Sequence, residues 1–118
     1  MAEKIVLYAF QGEQMCFVHV LLNALDMHEK GHDVKIVIEG SATKLVKVFH
    51  DEGKKNPFYQ WYVKVKDAGL IDGACKACAT KMGSIAEVEK ERLPLLGAMS
   101  GHPPMATYIE DGYTIITF

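Results

Sequence analysis

The sequence has little of what a nucleic-acid binder, a membrane protein or a secreted disulfide scaffold needs. Lys and Arg total 13 against 15 Asp and Glu, a net charge of -2. There is no basic excess to neutralise phosphates, so no nucleic-acid partner is expected. The longest early apolar run covers residues 5–10 and is followed at once by Gln11, Gly12 and Glu13. It is too short for a signal-peptide core and far too short to span a bilayer, so a cytoplasmic protein with no membrane partner is expected. Cysteine is scarce and odd in number: Cys16, Cys75 and Cys78. An odd count without a secretion signal argues against a disulfide framework and leaves chemistry, metal binding or simple burial for the thiols. No P-loop, no G-x-G-x-x-G after the first strand-like run, and no G-x-S-x-G occurs. Nucleotide-dependent and serine-hydrolase chemistry therefore lack support.

What is present reads as one domain over residues 1–118. With 49% apolar and 24% charged residues, a chain of this length buries roughly 65% of its unfolded surface, enough for one core. No linker, repeat or low-complexity stretch interrupts it. Residues 4–10 form a continuous apolar, β-prone run of the kind buried on both faces of a parallel sheet. The period then becomes helical, with Val18, Leu21, Leu22 and Leu25 as the expected buried stripe and Gly31 as its left-handed stop. Residues 33–38 read as a second strand, which makes a βαβ unit. Ser41 is expected to cap a helix carrying Leu45, Val46 and Phe49; Asn56-Pro57 opens another, with Phe58, Trp61, Tyr62 and Val65 on one face. Core packing is the plain reading of the aromatic face Phe58, Tyr59, Trp61 and Tyr62, with part of it left for a subunit interface. A short third strand runs into Cys75. Brief helices follow, the second with Ser84 and Glu87 as a capping box. Residues 93–98 hold a weak fourth strand, Pro103-Pro104 starts a helix, and residues 113–118 read as a last strand. This pattern specifies an α/β fold: a three-layer α/β/α sandwich with a mostly parallel sheet of about five strands.

In such a sheet, sites form beyond the carboxyl ends of the strands. Three loops are expected there: Gln11-Gly12-Glu13, the segment from Ala74 to Cys78, and Met99-Ser100-Gly101-His102. The second carries Cys75 and Cys78 at the first turn of a helix. Free N–H groups and the positive end of the dipole stabilise a thiolate there, and Lys76 and Lys81 add positive charge. Cys75 is thus expected to have a lowered pKa and to act as a nucleophile, with Gly73 leaving room for a partner molecule. The plain alternative is a pair of small buried apolar residues. C-x-x-C spacing fits a redox pair or half a zinc site. Zinc would need two more ligands, and no second C-x-x-C exists. Cys16 and His102 could complete a set only if the fold converged them, so no metal site and no cofactor are expected. Cys16 reads as a buried helix residue. His19, His28, His32 and His50 fall on polar faces or near ends. His102, in an active-edge loop, is a candidate acid, base or ligand. Gln11, Gly12, Glu13, Lys76 and His102 are the candidate substrate-binding residues beside Cys75 and Cys78.

Together the strand at Ile5-Val6-Leu7, the long helix ending in Gly31, the strand at residues 34–38, the segment from Cys75 to Gly83 and the closing run from Gly112 to Phe118 resemble the DsrE/DsrF-like (TusD-like) sulfur-relay family. The likeness is to its small single-domain members with a C-x-x-C. The most specific piece is a cysteine followed by seven residues and a glycine, here Cys75 to Gly83. The resemblance implies homo-oligomers, often trimers or hexamers, and exchange with sulfur donor and acceptor proteins. It also implies a sulfurtransferase-like role in which Cys75 accepts sulfane sulfur as a persulfide and Cys78 holds the extra position of the C-x-x-C branch. Two other functions stay open: a non-catalytic oligomeric module binding a small ligand or protein, and a Cys75/Cys78 dithiol redox switch.

Overall fold

Aliphatic and β-branched runs make the strands, and the turns between them fall at glycine. The computed structural model describes residues 2–118. Strand β1 (Lys4–Ala9) leads into helix α1 (Gln14–Glu29) and strand β2 (Asp33–Ile38). A 3₁₀ turn (Gly40–Thr43) precedes α2 (Lys44–Glu52), and α3 (Tyr59–Asp67) leads to β3 (Ile71–Cys75). Two short helices, α4 (Lys76–Lys81) and α5 (Ile85–Lys90), separate β3 from β4 (Leu95–Leu96). The chain closes with α6 (Met105–Glu110) and β5 (Thr114–Thr117).

The five strands form one all-parallel sheet in the order β4-β3-β2-β1-β5. Parallel crossovers are right-handed. Successive steps from β1 to β4 all run one way across the sheet, which stacks their helices on one face; the reversed step to β5 puts α6 on the other. Side chains agree. Leu7, Ala9, Ile36 and Ile38 pack with Phe17, Leu21, Phe49 and Tyr62 on the thick side. Val6, Tyr8 and Val37, one residue out of step, pack with Tyr108 and Tyr113 on the thin side. The result is the expected three-layer sandwich, with one short helix as its third layer.

Local signals failed where a tertiary partner outweighed them. On α1 the expected stripe holds at Val18 and Leu21, which are buried, and at Leu25, which packs against the core, while Leu22 is 39% exposed. Phe17, Val20 and Ala24 complete the buried face, with Phe17 6.0 Å from the Phe49 ring. Ser41 does not cap α2. Its hydroxyl accepts from the Gly12 N–H at 2.9 Å and donates to the Phe10 carbonyl at 3.1 Å, tying the first loop to the second. Ser84 forms no side-chain cap; its hydroxyl bonds to the Ala79 carbonyl, and Glu87 reaches Lys47 at 3.5 Å. Asn56 does not cap α3, which begins at Tyr59 after Phe58; its side chain accepts from the Phe58 N–H at 2.8 Å in the turn that leads into the helix. Tyr62 is fully buried, stacked on Phe49 at 4.9 Å, while Phe58, Tyr59 and Trp61 are half-buried. Among the described residues, no helix is long and apolar enough to cross a membrane.

One polar cluster in the helical layer had no sequence signal. Glu91, just past α5, accepts from Tyr62 Oη at 2.7 Å and Lys66 Nζ at 2.9 Å, and lies 2.7 Å from His50 Nδ1. It ties α2, α3 and α5 together. Although its burial opposes ionisation, the bonds from His50, Lys66 and Tyr62 hold its carboxyl down at a pKa of about 2.

Candidate thiol site

Cys75 is both the last residue of β3 and the residue that caps α4, with extended backbone angles of φ -62° and ψ 120°. That geometry turns its sulfur back over the helix start, where it accepts the Cys78 N–H at 3.4 Å. Cys78, three residues on, lies on the same side of the helix. Gly73 opens space for the sheet rather than for an outside molecule. A Cβ there would sit 2.6 Å from Leu96 Cγ and 2.7 Å from the Pro94 carbonyl, so β4 could not pair as it does.

His102 arrives on a tight turn between β4 and α6. Met99 and His102 exchange both backbone hydrogen bonds at 2.9 Å, with Ser100 (φ 49°) and Gly101 (φ 91°) at the corner. Positive φ at both central residues defines a type I′ turn. The Ala77 N–H donates to the Gly101 carbonyl at 2.8 Å, clamping the turn onto α4. His102 Nδ1 thereby comes to 3.1 Å from Cys75 Sγ and 3.8 Å from Cys78 Sγ. Glu39, the first residue after β2, completes the set with Oε1 3.6 Å from His102 Nδ1. One ligand atom from each of the four residues lies within 4.8 Å of the others. A Cβ on Gly101 would approach Ala77 Cβ to 3.1 Å, on a backbone that L residues rarely adopt. Gly101→Ala is accordingly expected to lower stability by about 1–2 kcal/mol. Denaturant unfolding checks this, and an unchanged midpoint would contradict the clamp.

The charge balance reverses one expectation. Cys75 is 0% exposed, and loss of hydration drives its thiol pKa up to about 12. The Cys78 N–H bond opposes this; the Cys78 thiol and Glu39 add to it. The expected lowering by the helix end and Lys76 is not found. α4 has six residues, offers Cys75 one N–H, and its Lys76 is exposed; that does not replace the lost water. Burial likewise raises the Glu39 carboxyl, partly offset by His102. Cys78 is the more open thiol, half-buried where Cys75 is covered.

Of the residues singled out in the sequence, Cys75, Cys78 and His102 converge. Gln11, Gly12 and Glu13 lie at the same sheet edge but line a separate cleft of about 560 Å³, with Ser41 and Lys44. Cys16 lies on α1 outside the cluster. Glu39 is not among the sequence candidates, although its signal, a polar residue directly after the carboxyl end of a parallel strand, is present in the chain.

A model of the DsrE/DsrF-like family matches residues 5–118. An uncharacterized protein of Methanocaldococcus jannaschii is 36% identical over 106 residues, which is 90% of this chain and 83% of that protein. An uncharacterized protein of Archaeoglobus fulgidus is 37% identical over 43 residues, 36% of this chain and 70% of that protein. No solved structure matches the chain.

Proposed function

The chain belongs to the DsrE/DsrF-like family, and from that premise we propose that it is a sulfur-relay protein carrying sulfane sulfur on Cys75, loaded through Cys78. The observation that supports this is the convergence of two thiols and an imidazole within one 4.8 Å cluster at the carboxyl edge of the sheet.

The half-buried Cys78 meets the donor persulfide, R–S–SH. Its sulfur attacks the outer sulfur; the donor S–S bond breaks, a Cys78–S–SH forms, and the donor leaves as R–SH. Cys75 then attacks the outer sulfur of Cys78–S–SH, giving Cys75–S–SH and restoring the Cys78 thiol. Sulfur passes at constant oxidation level, so no outside oxidant or reductant is needed. In each step a thiol proton must leave the attacking sulfur, and His102 Nδ1 is placed to take it and return it. Storage on the covered Cys75 keeps the persulfide away from solvent reductants. The cleft of Gln11, Gly12 and Glu13 is the proposed seat for donor groups flanking the transferred sulfur, and the exposed Lys76, next to Cys75 in the chain, is the proposed contact for an anionic group of the donor. Assembly as a homo-oligomer, a trimer or hexamer, and exchange with donor and acceptor proteins complete the proposal.

Metal-free, reduced protein is incubated with inorganic polysulfide and mapped by mass spectrometry. The wild type is expected to carry a one-sulfur adduct on Cys75. Cys75→Ser is expected to strand the adduct on Cys78, and Cys78→Ser to load at least about 10-fold more slowly, because the remaining thiol is covered and protonated. No adduct on either thiol, from polysulfide or a donor protein, would defeat the proposal. The closeness of the two sulfurs also supports a dithiol switch; a reversible Cys75–Cys78 disulfide without any persulfide would select it.

A further inference from the structure

We propose that Glu39, Cys75, Cys78 and His102 form a binding site for one thiophilic divalent cation of the zinc type per chain. Two sulfurs, one imidazole nitrogen and one carboxylate oxygen are a borderline-soft donor set that suits zinc and excludes calcium and magnesium, which require oxygen cages. The spacing fits as well. Tetrahedral bonds of zinc to S, N and O place neighbouring ligand atoms about 3.4–3.8 Å apart. The observed separations are 3.1 Å and 3.8 Å from His102 Nδ1 to the two sulfurs and 3.6 Å to Glu39 Oε1, with every pair inside 4.8 Å.

The ligands come from three chain segments, each held by its own backbone. The Glu39 N–H is bonded to the Ala9 carbonyl at 2.8 Å, Cys75 and Cys78 share the start of α4, and the His102 turn is clamped to Ala77. Among the described residues, the one side-chain hydrogen bond that leaves the set is a long one, from Cys75 Sγ to the Gly101 carbonyl at 3.6 Å; the other side-chain contacts of the four run among themselves. Little rearrangement is therefore needed to close four ligands around one cation. Binding releases the two thiol protons and leaves two metal–thiolate bonds. The inference rests on the geometry and not on the sulfur-carrying proposal. A bound cation occupies both thiols, so the metal-loaded and sulfur-loaded forms exclude each other.

The test is anaerobic titration of the metal-stripped, reduced protein with Co²⁺, followed by Zn²⁺. One Co²⁺ per chain is expected, with a thiolate-to-cobalt charge-transfer band and intense tetrahedral visible bands that Zn²⁺ abolishes. Cys75→Ser and Cys78→Ser each weaken the charge-transfer band. His102→Ala and Glu39→Gln lower Co²⁺ affinity at least about 10-fold, and Cys16→Ser changes nothing. Circular dichroism confirms that each variant is folded, and Glu39→Gln, equal in size, tests the carboxylate if the cysteine variants fail to fold. No charge-transfer band in the wild type, or a spectrum unaltered in folded Cys75→Ser and Cys78→Ser, overturns the inference. Cobalt binding without a one-sulfur adduct defeats the sulfur relay alone; an adduct without cobalt binding defeats the metal site alone.

Discussion

His102→Ala is expected to slow sulfur loading of Cys75 by about 10²–10³-fold at neutral pH. The cause is the state of the thiol. Burial pushes its pKa up to about 12, so Cys75 is held as the neutral thiol at pH 7. Transfer then depends on a group that takes the proton as the sulfur attacks, and His102 Nδ1 lies 3.1 Å away. Two controls separate proton transfer from mere support of the turn. The deficit should shrink as the pH rises toward the Cys75 pKa, because hydroxide then removes the proton. Added imidazole should restore part of the rate, since the His102 side chain is 39% exposed and its removal opens the position. Rates are read by mass spectrometry after timed exposure to polysulfide. Wild-type loading in His102→Ala would remove the histidine from the mechanism, and a deficit indifferent to both pH and imidazole would reduce it to a positioning residue.

The largest stability effect is expected at Glu91. Its carboxylate is 11% exposed and serves Tyr62, Lys66 and His50 at once. Glu91→Ala strands the buried Tyr62 hydroxyl and separates α2, α3 and α5. Loss of one partner from a buried ionic cluster costs about 3–5 kcal/mol. The side chains of Lys66 and His50 are about a third exposed (32% and 31%), so about 2–3 kcal/mol is expected here after allowance for solvent screening. The pH dependence has a definite sign. The folded pKa is depressed from 4.5 to about 2, so the carboxylate's contribution is complete above the unfolded value and is lost as the pH falls from about 4.5 toward 2. Denaturant midpoints at neutral pH and at successively lower pH check both points. The wild type should lose stability across that window, and Glu91→Gln should lose less. Equal acid sensitivity in the two would show that other carboxylates govern the acid limb.

Much of the architecture rests on signals within a few residues. β1 was visible as a continuous apolar run because a parallel sheet buries both faces of its inner strands. Gly31 adopts positive φ at the end of α1, where it was expected, and Gly53, Gly69 and Gly83 do the same at later helix ends. Local signals misled where a side chain had more than one satisfied outcome. Ser41 could have capped a helix but found the Gly12 N–H and the Phe10 carbonyl instead.

The sequence by itself determined the α/β layering, the family resemblance and the two cysteines at the start of a helix after a strand. These follow from period, turn chemistry and spacing, which are properties of short stretches of chain. Only the tertiary structure decided which residues join those cysteines and whether Cys75 is ionised. Glu39 and His102 lie 36 residues before and 27 residues after Cys75; the parallel strand order and the turn clamped onto α4 bring them together. The thiol's charge is set by how much water the fold removes, and hydration is a property of the whole packed edge rather than of Cys75 and its neighbours in the chain.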